Sequence, residues 1–161
     1  GIDPAEILSR VNRDLAAENE NLLFVTLFCA ILNTRTGEVV YSNAGHNPPL
    51  ILRANGKVEW LKLPEGLVLA VMPDSKYQTR TTTIRKGDTL LLYTDGVTES
   101  MNPARVLYSE TALARITGEC AAKNPKETVE HVIKSVKNHA GAEPQSDDIT
   151  IMALRILDLK A

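Results

Sequence analysis

Three aspartates stand where apolar runs meet loops. Asp95 closes the run Thr89-Leu90-Leu91-Leu92-Tyr93-Thr94 and is followed by Gly96, while Asp147 and Asp148 directly precede the run that begins at Ile149. A strand that ends in a carboxylate and a glycine can build a metal site, and it can equally build an ordinary turn. If the two strands are antiparallel neighbours, the end of one lies beside the start of the other and the carboxylates converge on one rim of a sheet. Converging carboxylates repel each other unless a cation sits between them. Oxygen-only ligands favour hard ions, Mg²⁺ or Mn²⁺ before Ca²⁺. Such ions suit phosphoryl chemistry, because they neutralise phosphate charge and activate water.

Each signal is weak alone. Asp147-Asp148 fits a solvated loop as well as a ligand pair. His46 lies in Ser42-Asn43-Ala44-Gly45-His46-Asn47-Pro48-Pro49. It could serve a site or simply hydrogen-bond the loop backbone, and no second histidine or cysteine is placed to complete a transition-metal set. His131 and His139 fall within and near the end of a predicted helix. Cys29 and Cys120 are far apart and form no metal-type pair. Cys29, inside an apolar run, reads as a buried thiol.

The elements that must position these residues follow from local pattern. Asp3-Pro4-Ala5-Glu6 is an N-cap, a proline at the first helical position and an acid, and Ile7, Leu8, Val11 and Leu15 form the predicted buried stripe. The helix should fade near residues 19–21. Leu23 to Leu32 is almost continuously apolar and predicts a strand buried on both faces. It turns at residues 33–37 into a return strand over 38–43. Leu50–Arg53 and Lys57–Lys62 predict a second hairpin, turned by Asn55-Gly56. The segment 64–73 reads as a packed loop, and 77–84 as an exposed or edge strand. Lys86-Gly87-Asp88 then leads into the strand that ends at Asp95. Helices are predicted over 109–118 and from a cap at Asn124-Pro125-Lys126-Glu127, with a last strand over 149–157. Hairpins dominate, so the class is α+β with mostly antiparallel sheets.

The totals exclude several functions. The chain has 161 residues and a formal net charge of −2. That length suits one domain with a real core, and the charge implies no broad basic surface for nucleic acid. No apolar run approaches the roughly 20 residues of a membrane helix. No signal peptide is evident, and a reducing cytoplasm is the simplest compartment.

Taken in order, Phe24-Val25-Thr26-Leu27, the Ser42 to Pro49 loop, Lys86-Gly87-Asp88, Tyr93-Thr94-Asp95-Gly96-Val97-Thr98-Glu99 and Asp147-Asp148-Ile149-Thr150 form a far more specific pattern. It resembles the metal-dependent protein phosphatases (the PPM, or type 2C, family), in the bacterial branch of sporulation stage II and sigma-regulatory serine phosphatases. The resemblance covers nearly the whole chain. It implies an α-β-β-α sandwich of antiparallel sheets flanked by helices. It also implies two Mn²⁺ or Mg²⁺ ions in the complete domain, whose bound water attacks phosphoserine or phosphothreonine with no phospho-enzyme and no protein nucleophile. By resemblance Asp95 and Asp147 are metal ligands. Gly96, Asp148, Asn43 and His46 are near-site or supporting residues, and Glu99 belongs to the signature but need not touch metal.

Two motifs of the family do not occur in this chain: a Gly-Asp-Phe-Tyr-Asp-like strand and an Asp-Gly/Val-x-Gly-His/Lys-Gly-like turn. They supply the bridging aspartate and a backbone ligand. Residues 1–161 are therefore expected to be one domain, the C-terminal portion of a PPM-type catalytic domain, lacking the family's first strands. Asp95 and Asp147 alone fall short of the about six oxygens such a cation wants. The fragment is accordingly expected to hold metal poorly and to be inactive alone. The implied partners are a phosphoprotein of the anti-sigma-factor antagonist type, an upstream sensor or receiver domain in the parent chain, and a second copy pairing through exposed strand edges. The alternatives are a non-catalytic partner-binding module that keeps the fold, favoured less because both aspartates are retained, and a Ca²⁺-stabilised β-rich domain, which the motif order disfavours.

Overall fold

The computed structural model describes residues 1–17 and 19–159. The elements run α1 (Pro4–Ala17), β1 (Leu27–Leu32), β2 (Glu38–Ala44), β3 (Leu50–Leu52), β4 (Val58–Trp60), β5 (Arg80–Thr83), β6 (Thr89–Tyr93), α2 (Asp95–Thr98), α3 (Ser109–Gly118), α4 (Pro125–Ala140) and β7 (Ile151–Arg155). Every strand pair is antiparallel and the class is α+β, as the hairpin pattern implies. The chain divides into two compact units, the first of residues 1–46 and 62–83 with Leu159, the second of residues 47–61 and 84–158. Among the described residues no helix is long and apolar enough to cross a membrane.

In the first unit the strand order is β1-β2-β5, with α1 packed on the sheet. The Asp3 carboxylate caps α1 by accepting the Ala5 N–H at 3.0 Å and also accepts the Thr79 hydroxyl. Leu8, Ala44, Leu69 and Tyr77 centre the core. Leu15 does not join the predicted stripe: it is exposed, and Asn12 takes the interior position. The Asn12 amide donates to the carbonyls of Met72 and Pro73 and accepts the Ala70 N–H at 2.9 Å. It thereby holds Ala70 at a φ of 73° in the left-handed region, which an alanine rarely adopts. A polar residue is tolerated there because its hydrogen-bonding groups find partners.

The prediction of burial on both faces over 23–32 fails. The strand begins only at Leu27, residues 22–25 are exposed, and Val25 makes a lone bridge to Leu69. The physical reason is position, since among the described residues β1 is an edge strand of its sheet, paired with β2 alone. Cys29 is accordingly half-buried rather than enclosed, and burial still pushes its thiol pKa up. At the other edge β5 is mostly exposed, as its threonines suggest.

The second unit carries the sheet β4-β3-β6-β7. Leu50 faces Leu91 on one side and Trp60 on the other, so β3 is buried along its length. Leu113 and Ile116 of α3 and Val132 and Val136 of α4 complete this core. The α4 start is a full capping box between Asn124 and Glu127 behind Pro125. Gly56 takes a φ of 87° in the β3–β4 turn, a conformation open to glycine.

The turn into β6 is fastened by Asp88, 3% exposed. Its carboxylate accepts the Ala54 N–H at 2.9 Å, the Arg85 N–H at 3.0 Å and the Arg53 guanidinium at 2.8 Å. Burial opposes the charged form, but the Arg85 and Ala54 amides and Arg53 outweigh it and hold the pKa below the usual carboxylate range. With its folded pKa depressed, Asp88 contributes stability above its unfolded value, near 3.9, and loses it as pH falls through the folded pKa. Asp88→Asn is expected to be destabilised at neutral pH and to show a shallower loss of stability below about pH 4. Urea midpoints compared at pH 3 to 7 check both.

Candidate metal centre

The antiparallel pairing of β6 with β7 runs up to Tyr93 opposite Ile151. Beyond that pair Thr94 takes over. Its N–H donates to the Thr150 carbonyl at 3.1 Å, its Oγ1 accepts the Thr150 N–H at 2.9 Å, and its hydroxyl donates to the Asp148 carbonyl at 2.8 Å. One side chain thus binds the end of β6 to the segment that leads into β7. Asp95 follows at once. It was expected at a strand tip and instead opens the four-residue helix α2, because Glu99 N–H closes a helical turn onto the Asp95 carbonyl at 2.8 Å.

Gly96 lies against the opposite chain. A methyl group built on it would sit 2.6 Å from the Asp148 carbonyl oxygen and 3.1 Å from that of Asp147. Asp95, Asp147 and Asp148 therefore share one rim of the second unit's sheet, and all three are exposed. Asp95 Oδ1 accepts the Gly96 N–H at 3.0 Å and Asp147 Oδ1 accepts the Asp148 N–H at 2.7 Å. Each bond fixes its carboxylate against its own backbone. The second oxygen of each, and both carboxylate oxygens of Asp148, have no hydrogen-bond partner among the described residues.

Hard anionic oxygens without protein partners, gathered at one rim, fit a divalent cation in kind. They fit less well in number: no group of three histidine, cysteine or acidic residues close enough to share one ion occurs among the described residues. The rim offers one side of a coordination shell.

Asn43 and His46 lie in the first unit. Asn43, buried at the end of β2, donates from Nδ2 to the His46 carbonyl at 3.2 Å, while its Oδ1 has no hydrogen-bond partner among the described residues. A methyl on Gly66 would fall 2.0 Å from the Asn43 carbonyl oxygen, and one on Gly45 2.4 Å from Val68. Gly45 also needs its φ of 71°. The loop is thus tightly packed, and His46 is half-buried within it. The expected pairing of the two strands is present, and it sets Gly96 against the backbone of Asp147 and Asp148. Sequence spacing passes over Thr94, whose only sequence signal is a hydroxyl residue at the end of an apolar strand.

Comparison with known proteins identifies the family and the fold. Residues 1–157 match the model of the Stage II sporulation protein E (SpoIIE) family, and the chain belongs to that family. Protein IcfG of Synechocystis sp. is 31% identical over 145 residues, covering 89% of this chain and 22% of that protein. Phosphoserine phosphatase RsbU of Bacillus subtilis is 27% identical over 155 residues, covering 96% of this chain and 46% of RsbU. The chain spans less than half the length of either relative. The SiaA-PP2C domain of Pseudomonas aeruginosa shares the fold, with a TM-score of 0.82 at 20% identity over 95% of this chain and 61% of that one.

Proposed function

We propose that this chain is the C-terminal portion of the catalytic domain of a metal-dependent serine/threonine protein phosphatase. Its parent removes phosphate from phosphoserine or phosphothreonine on a regulatory protein of the anti-sigma-factor antagonist type. The observation that carries this proposal is the convergence of Asp95 and Asp147 on one rim through the β6–β7 pairing and the Thr94 latch. Membership of the SpoIIE family and similarity to a phosphoserine phosphatase support it.

Asp95 and Asp147 would hold the ion through their unengaged oxygens, and Asp148 would stand beside them. When bound, Mn²⁺ or Mg²⁺ supplies charge neutralisation for the phosphoryl group and a water of lowered pKa. The chain's own contribution is to orient. The Gly96 and Asp148 amides fix the carboxylates, and Thr94 fixes the spacing of the two segments that bear them. Asn43 and His46 are assigned a supporting role in the loop after β2. An upstream sensor or receiver domain would set when the parent acts.

The test compares the isolated 161-residue chain with the longer parent on a phosphoserine peptide. Mn²⁺-dependent turnover is expected from the parent and essentially none from the chain. Robust turnover by the chain would overturn the fragment assignment. A parent that binds the phosphoprotein without turning it over would point to a partner-binding module instead.

A further inference from the structure

We propose that Thr94 is a positioning residue of the metal centre, whose hydroxyl sets how tightly the centre holds a divalent cation. This rests on the phosphatase function proposed above. The strand register carries it. Tyr93 pairs with Ile151, so Thr94 and Thr150 come next in the ladder. A hydrogen-bonded antiparallel pair exchanges two bonds, each N–H donating to the other residue's carbonyl. One half of this pair is regular: the Thr94 N–H donates to the Thr150 carbonyl at 3.1 Å. The other half is not. The Thr150 N–H donates to Thr94 Oγ1 at 2.9 Å, while the Thr94 carbonyl accepts the Val97 N–H at 3.0 Å. The hydroxyl of Thr94 stands in the ladder for the carbonyl of the same residue.

That replacement lets one residue end a strand and start a helix. Thr94 is the N-cap of α2, with an extended backbone at φ −90° and ψ 158°. A threonine at an N-cap ordinarily accepts an N–H from the first turn of its own helix. The Thr94 side chain makes no such bond. Other groups serve the first turn, the Asp95 carboxylate on the Gly96 N–H and the Thr94 carbonyl on the Val97 N–H. The Thr94 hydroxyl works across the sheet instead, where it also donates to the Asp148 carbonyl at 2.8 Å. A hydroxyl donates and accepts at one atom, which a backbone carbonyl cannot do. A single oxygen therefore fastens the segment of Asp147 and Asp148 to the residue before Asp95, where the ladder would otherwise open. Thr98 provides the contrast. It is buried, and its hydroxyl donates to the Asp95 carbonyl at 3.3 Å, a bond within α2.

The test measures Mn²⁺ binding to the metal-stripped full-length parent by calorimetry, beside metal-free melting curves and amide hydrogen exchange. Thr94→Val keeps the shape of the side chain and removes both bonds of the hydroxyl, whereas Thr94→Ser keeps the hydroxyl. The Kd for Mn²⁺ is expected to rise about ten-fold or more in Thr94→Val and to stay within about two-fold in Thr94→Ser. The Thr150 amide is expected to exchange faster in Thr94→Val alone, since it loses its acceptor. Thr98→Val separates positioning from plain stability: a lower melting midpoint with an unchanged Kd is expected. An unchanged Kd in Thr94→Val, equal weakening in Thr94→Val and Thr94→Ser, or the same rise in Thr98→Val overturns the assignment. Should Thr94→Val fail to fold, Thr94→Ala, measured at a temperature where it remains folded, takes its place with the same outcomes. An unmodified parent that takes up no Mn²⁺ overturns the metal centre itself, whereas uptake indifferent to Thr94 overturns this assignment alone.

Discussion

Asp95→Asn in the full-length parent is expected to lower Mn²⁺-dependent kcat/KM on a phosphoserine peptide by more than about a hundred-fold while leaving the thermal midpoint nearly unchanged. The substitution separates two roles of one side chain. Asparagine keeps the volume of aspartate, and its amide oxygen can still accept the Gly96 N–H now bound to Asp95 Oδ1. The start of α2 should therefore persist. What is lost is the negative charge on the second oxygen, which has no hydrogen-bond partner among the described residues. A neutral amide oxygen is a weaker ligand for a hard divalent ion. Asp148→Asn makes a useful contrast. Its backbone, not its carboxylate, holds the rim together, through the carbonyl bonded to Thr94. A few-fold loss is expected there, in line with a supporting position. The measurement is a Mn²⁺ titration of turnover for each variant beside its melting curve. Full activity in Asp95→Asn, or a loss matched by unfolding, would remove Asp95 from the metal site.

The sequence made the local devices of this fold visible because each is encoded within a few residues. The caps at Asp3 and Asn124, the Asn55-Gly56 turn and the edge character of residues 80–83 follow from propensity and turn chemistry. That the segments bearing Asp95 and Asp147 are neighbours was legible for a different reason. It needed only that two motif-bearing strands be antiparallel neighbours, and hairpin-rich order makes that pairing natural. What escaped depends on partners distant in sequence. Asn12 looks like a solvent-facing helix residue until the loop at 70–73 closes over it. Leu23 to Val25 look like a core strand until β1 turns out to be an edge. Thr94 looks like the last residue of a strand until its hydroxyl reaches Asp148 and Thr150. The helical turn of α2 was hidden by Gly96, which reads as a turn former although its role here is spatial.

That spatial role gives the second large effect. Gly96→Ala is expected to destabilise the protein by about 1–3 kcal/mol and to weaken metal-dependent activity at the same time. The usual reason for an obligatory glycine, a left-handed backbone, does not apply, since Gly96 is helical and absent from the residues with positive φ. The obstacle is the facing chain. The added methyl would stand 2.6 Å from the Asp148 carbonyl oxygen, 3.0 Å from its carbonyl carbon and 3.1 Å from the Asp147 carbonyl oxygen. All three are backbone atoms, so no side chain can swing aside. Either α2 or the 147–148 segment must move, and both carry the rim carboxylates. The Asp148 carbonyl is also the acceptor of the Thr94 hydroxyl, so the displacement strains the latch as well as the packing. Gly118→Ala at the end of α3 is the control. There the nearest atom, a Val58 methyl, is 3.5 Å away, an ordinary contact, and alanine gains helix propensity. The control is expected to be neutral or slightly stabilising. Urea denaturation and Mn²⁺ titration of both variants in the parent protein check the pair. Equal stability of the two, or a Gly96→Ala protein with undiminished metal dependence, would mean that the close approach of α2 to Asp147 and Asp148 does not set the geometry of the rim.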